Sequence, residues 1–239
     1  MNMRFLLSEE FYAKNYGYYE DARSRKSSYM KAADSLVVDN IERGPVLDVG
    51  CGDGLRALSL AGKYKSDIVG MDNCVEMVEM ANRNGIQAVL HEDIVALSDE
   101  TIGRFRGKFG TIFCLWNVLG HIIHVEDRGK AMRGIVEFLA DDGVLFVDVN
   151  NRFNIHQYGF FRCLRNAIIG IFQKEKGIFV LPINDSMTQV YLSSKTEFVD
   201  LLNGSGLRID RLAYVNYQNG EIEKKSWHGQ LFAVCRKKL

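Results

Sequence analysis

The sequence predicts an α/β fold: a doubly wound, mostly parallel seven-stranded sheet with helices on both faces and a C-terminal antiparallel hairpin. Short apolar runs alternate with helical periodicity through the middle of the chain, as in repeated strand–helix units. The run 109–116 is apolar almost throughout, which is typical of a strand buried on both faces of a parallel sheet. Near the C-terminus, strand patterns over 207–217 and 230–235 flank the turn signal Asn219-Gly220, which predicts the hairpin.

The other elements are predicted from the same two patterns, short apolar runs for strands and helical spacing of apolar residues for helices. In chain order, we predict further strands at 46–49, 68–72, 86–91 and 144–150. The helices carry apolar residues at every third or fourth position. They are predicted from Ser27 to Ile41, from Leu55 to Ala61, from Cys74 to Asn84, around Ala131 to Leu139, and up to Gly204-Ser205-Gly206. Asp141-Asp142-Gly143 is predicted to be a turn.

The amino-acid composition limits the classes of function and the compartments that we expect for this chain. The chain has 239 residues with 30 basic and 30 acidic side chains, so its zero formal charge gives no support for an extended nucleic-acid footprint. The five cysteines show neither Cys-x-x-Cys nor zinc spacing, so we predict no metal site and a reducing, cytoplasmic compartment. No apolar run approaches the ~20 residues of a transmembrane helix. Glu9 and Glu10 argue against a signal peptide.

A glycine-rich turn follows the first strand of the core. Gly50, Gly52 and Gly54 stand at alternate positions, directly before the helix that begins at Leu55. Glycines adopt backbone angles forbidden to other residues and let a ligand approach bare main chain, and a helix N-terminus suits an anionic group. The dinucleotide-binding spacing Gly-x-Gly-x-x-Gly would require glycine at the position of Leu55. The alternative is a purely structural strand–helix turn.

Acidic residues end the next two strands. Asp72 lies about twenty residues past the glycine turn, where nucleotide-binding α/β folds place an acid on ribose hydroxyls, and Asn73 could share that role. Asp72 could instead be an exposed acid at a strand end. Asp93 follows the third strand and is followed by Ile94. Its alternative role is to cap the next helix.

The fourth strand of the core ends in Leu115-Trp116-Asn117 and is followed by His121. Ligands of open α/β sheets bind at the carboxyl ends of the strands, so Asn117 and His121 are the candidate catalytic residues. His121 is the best candidate for a general base, since imidazole titrates near neutral pH. The alternative is a histidine that only packs in a turn.

The pattern Asp-x-Gly-x-Gly-x-Gly over Asp48–Gly54, with Asp72 and Asp93-Ile94, resembles class I S-adenosylmethionine-dependent methyltransferases over roughly residues 45–150. The resemblance implies S-adenosyl-L-methionine as cofactor and S-adenosyl-L-homocysteine as product. It implies that Asp48 orients the loop and receives the cofactor's ammonium group, and that Asp72 holds the ribose. The other residues implied to contact the cofactor are the main chain of Gly50, Cys51 and Gly52 at the methionyl part, Asn73 beside Asp72 at the ribose, Asp93 and Ile94 at the adenine, and Leu115 at the strand end.

Two segments outside the core have open roles. The N-terminus carries Tyr12, Tyr16, Tyr18 and Tyr19, which form either a lid over the ligands or an extension packed on the domain. Residues 151–182 mix aromatic, aliphatic and basic side chains and form a substrate cap, a dimerisation helix or a peripheral membrane contact. The basic residues there, which favour a phosphate- or carboxylate-bearing substrate, are Arg152, Arg162, Arg165, Lys174 and Lys176.

These interpretations give a single methyltransferase domain. Its parts are an N-terminal helical lid or extension (1–43), a cofactor-binding core (44–150), the insertion (151–182), and a C-terminal helix and hairpin (183–239). We expect methyl transfer to an amine or hydroxyl of a small molecule, with the oligomeric state left open. The alternatives are an RNA or protein methyltransferase docking through the insertion, or an inactive protein that only binds the cofactor.

Overall fold

The computed structural model describes residues 4–41, 44–62, 67–172 and 177–238. The strands are β1 (Arg4–Phe5), β2 (Val46–Val49), β3 (Ile68–Asp72), β4 (Ala88–His91), β5 (Phe109–Cys114), β6 (Leu139–Val149), β7 (Ile178–Ile183), β8 (Ser186–Tyr191), β9 (Leu207–Val215), β10 (Ile222–Glu223) and β11 (Gln230–Lys237). The helices are α1 (Ser8–Lys14), α2 (Tyr16–Arg25), α3 (Ser27–Val38), α4 (Leu55–Ala61), α5 (Val75–Asn84), α6 (Asp99–Phe105), α7 (Val125–Phe138), α8 (Ile155–Tyr158), α9 (Phe160–Phe172) and α10 (Lys195–Gly204). Short 3₁₀ turns lie at Val118–His121 and Ser226–His228.

The central sheet has the strand order β10-β9-β11-β6-β5-β2-β3-β4. Strands β2 to β6 pair in parallel, and β11 pairs antiparallel with both β6 and β9. The predicted α/β sheet with an antiparallel C-terminal part is therefore confirmed. The sheet has eight strands instead of seven because the two-residue β10 adds to its edge. From β2 the chain builds outward to β4, then returns to β5 on the other side, so the topological switch point lies between β2 and β5.

Two apolar layers hold the helices on opposite faces of this sheet. Ile112 of β5 packs with Phe138 of α7 on one face. The next residue, Phe113, packs with Leu36 of α3 on the other. This alternation follows from the period-2 geometry of a strand, and it explains why β5 is buried along its whole length.

One predicted turn is wrong. Asp141-Asp142-Gly143 lies within β6, which begins at Leu139. The pairing of β5 with β6 shifts register between Phe109 and Thr111, so the extra residues of β6 are absorbed as an irregularity in the ladder. Helix α3 also ends earlier than predicted, at Val38 rather than at Ile41.

A second, three-stranded sheet was not predicted. It has the order β1-β8-β7, with β1 parallel and β7 antiparallel to β8. The insertion therefore continues past α8 and α9 into a hairpin, and the N-terminal residues add a strand to it. Lys174 and Lys176 lie outside the described residues. Within the described part of the chain, no helix has the length and apolarity needed to cross a membrane.

Candidate active site

A cavity of about 670 Å³ opens at the carboxyl ends of β2, β3, β4 and β5. All nine residues predicted to contact a cofactor line it: Asp48, Gly50, Cys51, Gly52, Asp72, Asn73, Asp93, Ile94 and Leu115. His121 lines it as well. The parallel strands bring these residues together because their carboxyl ends meet at one edge of the sheet, beside the switch point.

The glycine turn needs glycine for two reasons. Gly50 and Gly52 have φ of +68° and +54°, in the left-handed region. A Cβ at Gly50 would also lie 2.5 Å from a methyl of Val118, and one at Gly52 would lie 3.2 Å from the Tyr19 hydroxyl. Larger residues at these positions would strain the backbone and fill the space beside the cavity.

The N–H groups of this turn are bonded within the protein. Those of Gly50 and Cys51 both donate to the Met71 carbonyl, at 2.7 and 3.0 Å. At the start of α4, the Leu55 N–H donates to the Asp53 carboxylate at 3.2 Å. The expected anion site at this helix N-terminus is thus occupied by the protein's own acid, and the main chain of the turn is left to act mainly as an acceptor, which suits a cationic group.

Asp72 connects the glycine turn to the end of β3. One of its carboxylate oxygens accepts from the Gly52 N–H at 2.8 Å and the other from the Cys74 N–H at 2.9 Å. Burial raises the pKa of this carboxyl, and the backbone N–H groups lower it in part. Each carboxylate oxygen has a second lone pair, so Asp72 keeps the capacity to accept from ribose hydroxyls.

Asp93 forms a local turn and does not cap α6. Its carboxylate accepts from the Val95 N–H at 2.9 Å. Helix α6 is capped instead by Ser98, whose hydroxyl accepts from the Thr101 N–H at 3.1 Å. The neighbouring Ile94 is buried and packs with the core while lining the cavity. Asp93 is itself exposed, so it remains free to meet a ligand at this end of the cavity.

Asp48 is a buried acid within β2 that borders the cavity. Burial raises the pKa of its carboxyl to about 7, an effect that Arg56 opposes and that Asp72 and Asp53 reinforce. Arg56 is itself paired with Asp34 at 2.7 Å. At neutral pH Asp48 is therefore poised to ionise when a cation binds beside it.

Asn117 is placed differently from the sequence expectation. It does not line the cavity, and its side-chain oxygen accepts from the Asn150 N–H at 2.8 Å. Its own N–H donates to Asp148 at 2.7 Å, and Asp148 also accepts from the Tyr29 hydroxyl at 2.9 Å. Trp116 and Asn117 both have positive φ, 70° and 61°, so the network fixes a strained turn at the end of β5.

His121 is held by a tyrosine of the N-terminal segment. The Tyr12 hydroxyl lies 2.9 Å from Nε2, and the two rings meet edge to face at 5.1 Å. Burial lowers the pKa of His121 to about 4 and raises that of Tyr12, so both are neutral at pH 7. The Nδ1 atom is buried and has no hydrogen-bond partner among the described residues. His121 therefore lines the cavity, while its Nδ1 atom is enclosed by protein.

The cover of the cavity comes from the N-terminal helices and the small sheet. Tyr12 and Tyr19 line it, and Arg23 of α2 forms an ion pair at 2.7 Å with the buried Asp53 of the glycine turn. Thr188 and Gln189 of β8 close another side. None of the described residues of 151–182 lines the cavity, so the expected substrate cap does not lie there in this structure. The sequence signal for the true cover was the run of N-terminal tyrosines.

A polar cluster outside the cavity was also missed. His156, Glu223 and His228 lie together, with each imidazole Nδ1 within 3.5 Å of a Glu223 oxygen. The two rings stack at 4.3 Å and 18°, so their in-plane lone pairs do not converge on one point. Asn216 donates to both His156 and Glu223, and the cluster is satisfied internally.

Comparison with known proteins agrees with this architecture. A family described as "Methyltransferase domain" matches residues 46–143. The chain is 30% identical over 108 residues to the ubiquinone biosynthesis O-methyltransferase of Xanthomonas oryzae pv. oryzae, covering 45% of this chain and 43% of that protein. The chain thus matches less than half the length of this relative.

Two solved structures share the fold across nearly the whole chain. An S-adenosylmethionine-dependent methyltransferase from Clostridium acetobutylicum aligns with a TM-score of 0.66 and 14% identity, over 94% of this chain and 99% of its own. The 1,6-didemethyltoxoflavin-N1-methyltransferase of Burkholderia thailandensis, solved with S-adenosylhomocysteine, aligns at 0.65 and 15%, over 98% and 88%. At these identities the likeness concerns the fold.

The chain's own residues fit the cofactor of this family. A turn that offers acceptor groups and the ionisable Asp48 suits the cationic methionyl part, and Asp72 suits a ribose. The cradle at Gly50 and Gly52 is one that a Cβ would fill. Residues 46–143 are therefore similar to a methyltransferase domain, and the fold around them is shared with S-adenosylmethionine-dependent methyltransferases of known structure.

Proposed function

We propose that this protein transfers the methyl group of S-adenosylmethionine to an amine or hydroxyl of a small molecule by in-line displacement. One observation carries the proposal: the nine cofactor-contacting candidates and His121 line a single cavity that N-terminal helices and β8 cover. A covered cavity of about 670 Å³ is within the usual range for small-molecule sites. A folded macromolecule would need an open surface instead.

Three acids divide the cofactor between them. Asp48 ionises against the ammonium group, Asp72 accepts from the ribose hydroxyls, and Asp93 accepts from the exocyclic amine of adenine, with Ile94 covering a ring face. When bound, the cofactor supplies an electrophilic methyl group on a sulfonium. The residues around it align the acceptor and exclude water, which are the main contributions available to a displacement of this kind.

His121 and Tyr12 form the acceptor side of the site. A histidine with a pKa of about 4 is neutral at pH 7, as a general base must be, but it is weakly basic. We propose that His121, held by Tyr12, lies on the acceptor side of the site and takes a proton from an acceptor that is acidic enough to give one up. Asn117 acts as a positioning residue, because its bonds to Asn150 and Asp148 hold the end of β5.

The charges in the cavity favour an amine over an anionic acceptor. Its wall includes Asp48, Asp72, Asp93 and Asp127, whereas Arg56 is the only arginine among the described residues that line it. The basic residues that favour a phosphate- or carboxylate-bearing substrate lie in the insertion, and no described residue of the insertion lines the cavity. By name, the Xanthomonas oryzae relative is an O-methyltransferase and the Burkholderia thailandensis protein is an N-methyltransferase, which supports both acceptor classes.

The experiment measures cofactor binding and turnover separately. Calorimetry should show binding of S-adenosylhomocysteine and no binding of NAD. Release of S-adenosylhomocysteine is then followed with a panel of small amines, phenols and carboxylic acids, and with RNA and peptide at several salt concentrations. Turnover with amines or phenols supports the proposal. Salt-sensitive turnover on RNA alone would favour docking through the insertion. Cofactor binding without turnover on any acceptor would favour an inactive binding protein.

A further inference from the structure

Helix α9 presents large apolar side chains to solvent. Phe160 is 62% exposed, Phe161 83%, Leu164 46% and Ile168 52%. At 100° per residue these four positions fall within a 100° arc, so they form one stripe. Of the α9 side chains that the structure describes, only Cys163 is buried. The helix therefore uses little of its surface to pack on its own domain, and a continuous apolar stripe of this kind marks an interaction site.

The charged side chains of α9 itself have one sign. Arg162 and Arg165 are exposed on the same helix, and Arg165 lies at the border of the stripe. The sequence from Asn151 to Lys174 contains no Asp or Glu. A helix with an apolar stripe, basic residues beside it and no acid in its own sequence has the pattern of helices that lie in the headgroup region of anionic bilayers.

A second copy of the chain fits this stripe less well. A twofold contact places the same patch of each subunit on the other, so Arg162 and Arg165 would face their own counterparts without acids in the segment to neutralise them. An anionic lipid surface complements both the apolar and the basic part of α9.

We infer that α9 docks this protein on anionic lipid bilayers. The helix lies in the plane of the interface, with Phe160, Phe161, Leu164 and Ile168 among the acyl chains and Arg162 and Arg165 at the phosphates. A helix of 13 residues is too short to span the hydrocarbon core, so the contact is peripheral. The inference is independent of the proposed methyl transfer, because no described residue of α9 lines the cavity.

The test is co-sedimentation with vesicles of phosphatidylcholine alone and of phosphatidylcholine mixed with phosphatidylglycerol. The protein should bind the mixed vesicles, and added salt should weaken binding. Arg162→Gln with Arg165→Gln should reduce partitioning on the order of 30-fold, from about 1 kcal/mol per basic residue near an anionic surface. The matched control is Arg83→Gln with Arg133→Gln, which removes the same charge from exposed positions of α5 and α7.

The apolar part of the contact has its own variant. Phe161→Gln should reduce partitioning by at least about 10-fold, given the free energy of burying a phenylalanine. Val125→Gln is the control, because Val125 is 68% exposed and lies outside α9. Circular dichroism checks that each variant is folded, since all these side chains are solvent-exposed.

Three outcomes overturn the inference. The first is wild-type protein that binds anionic vesicles no better than phosphatidylcholine vesicles. The second is an equal loss of binding in the α9 variants and their controls. The third is a dimer in light scattering that Phe161→Gln dissociates, because α9 would then be covered by a second copy. The inference is supported if vesicle binding falls both in the double arginine variant of Arg162 and Arg165 and in Phe161→Gln.

Discussion

Removing the Asp72 carboxylate should weaken both the fold and cofactor binding. Asp72→Ala deletes the acceptor of the Gly52 and Cys74 N–H groups, which donate at 2.8 and 2.9 Å. A hydrogen bond to a charged group contributes about 1.5–3 kcal/mol to stability. Relief of carboxylate burial, which raises the pKa of Asp72, offsets part of the loss of two such bonds. We expect the free energy of unfolding without ligand to fall by about 2–4 kcal/mol.

Cofactor affinity should fall in the same variant. Loss of the ribose contact is worth about 1–3 kcal/mol, which corresponds to a roughly 5- to 150-fold higher Kd for S-adenosylhomocysteine. Asp72→Asn keeps one acceptor oxygen and turns an amide N–H group toward the other backbone donor. Its loss of stability should therefore lie between those of the wild type and Asp72→Ala.

Urea unfolding and calorimetry measure the two effects. Asp93→Ala is the matched control, because Asp93 is exposed and, among the described residues, its carboxylate accepts one backbone N–H, that of Val95. The unfolding free energy of this variant should fall by less than about 1 kcal/mol. An unchanged urea midpoint for Asp72→Ala would refute the role of this carboxylate in holding the glycine turn. An unchanged Kd would reduce Asp72 to a structural acid.

Three further predictions concern the walls of the cavity. Asp48 has a pKa of about 7 in the folded protein, so S-adenosylhomocysteine binding should release protons near pH 6–7 and should tighten as the pH rises to 7. Calorimetry in buffers of different ionisation enthalpy should show this proton release for the wild type and not for Asp48→Asn. His121 has a pKa of about 4 in the folded protein and about 6.5 in the unfolded chain, so the unfolded chain takes up a proton first as the pH falls. The unfolding free energy should therefore fall by up to about 3 kcal/mol between pH 6.5 and 4. His121→Gln should lack this component, and an equal pH dependence of the two proteins would contradict the prediction. Gly50→Ala should lower the melting temperature more than Gly107→Ala. The two glycines have φ values of +68° and +64°, so the backbone cost of about 1–2 kcal/mol is similar, but of these two variants only Gly50→Ala places its Cβ against Val118. Equal losses would show that the Val118 side chain moves away.

The parts of the site that the sequence predicted are local in the chain. The turn at Gly50 and Gly52, and acids such as Asp72 at the ends of successive strands, follow from a strand–turn–helix pattern that repeats. Parallel strands then gather these positions at one edge without further information. The spacing of the glycines also distinguished this turn from a dinucleotide-binding one, because it depends on backbone angles that few residues adopt.

The parts that the sequence did not predict depend on contacts between distant segments. Tyr12 and His121 are 109 positions apart, and no periodicity relates them. The pairing of β1 with β8 joins the N-terminal segment to a strand that follows the insertion. The two residues of β1 are too few to show a strand pattern in the sequence, and no charge pattern indicates this pairing. Asn117 was judged from its position at a strand end. Its rotamer, which the Asn150 N–H selects, removes the side chain from the cavity.

The cover of the cavity makes exchange of ligands a conformational event. Tyr12 on His121 and Arg23 on Asp53 attach the N-terminal helices to the walls of the cofactor region at two points. We expect cofactor entry and product release to be faster when these contacts part. Turnover would then be paced by opening of the N-terminal helices and would slow in viscous solvent, while Tyr12→Phe, which loosens one attachment, would release product faster even as it weakens its binding.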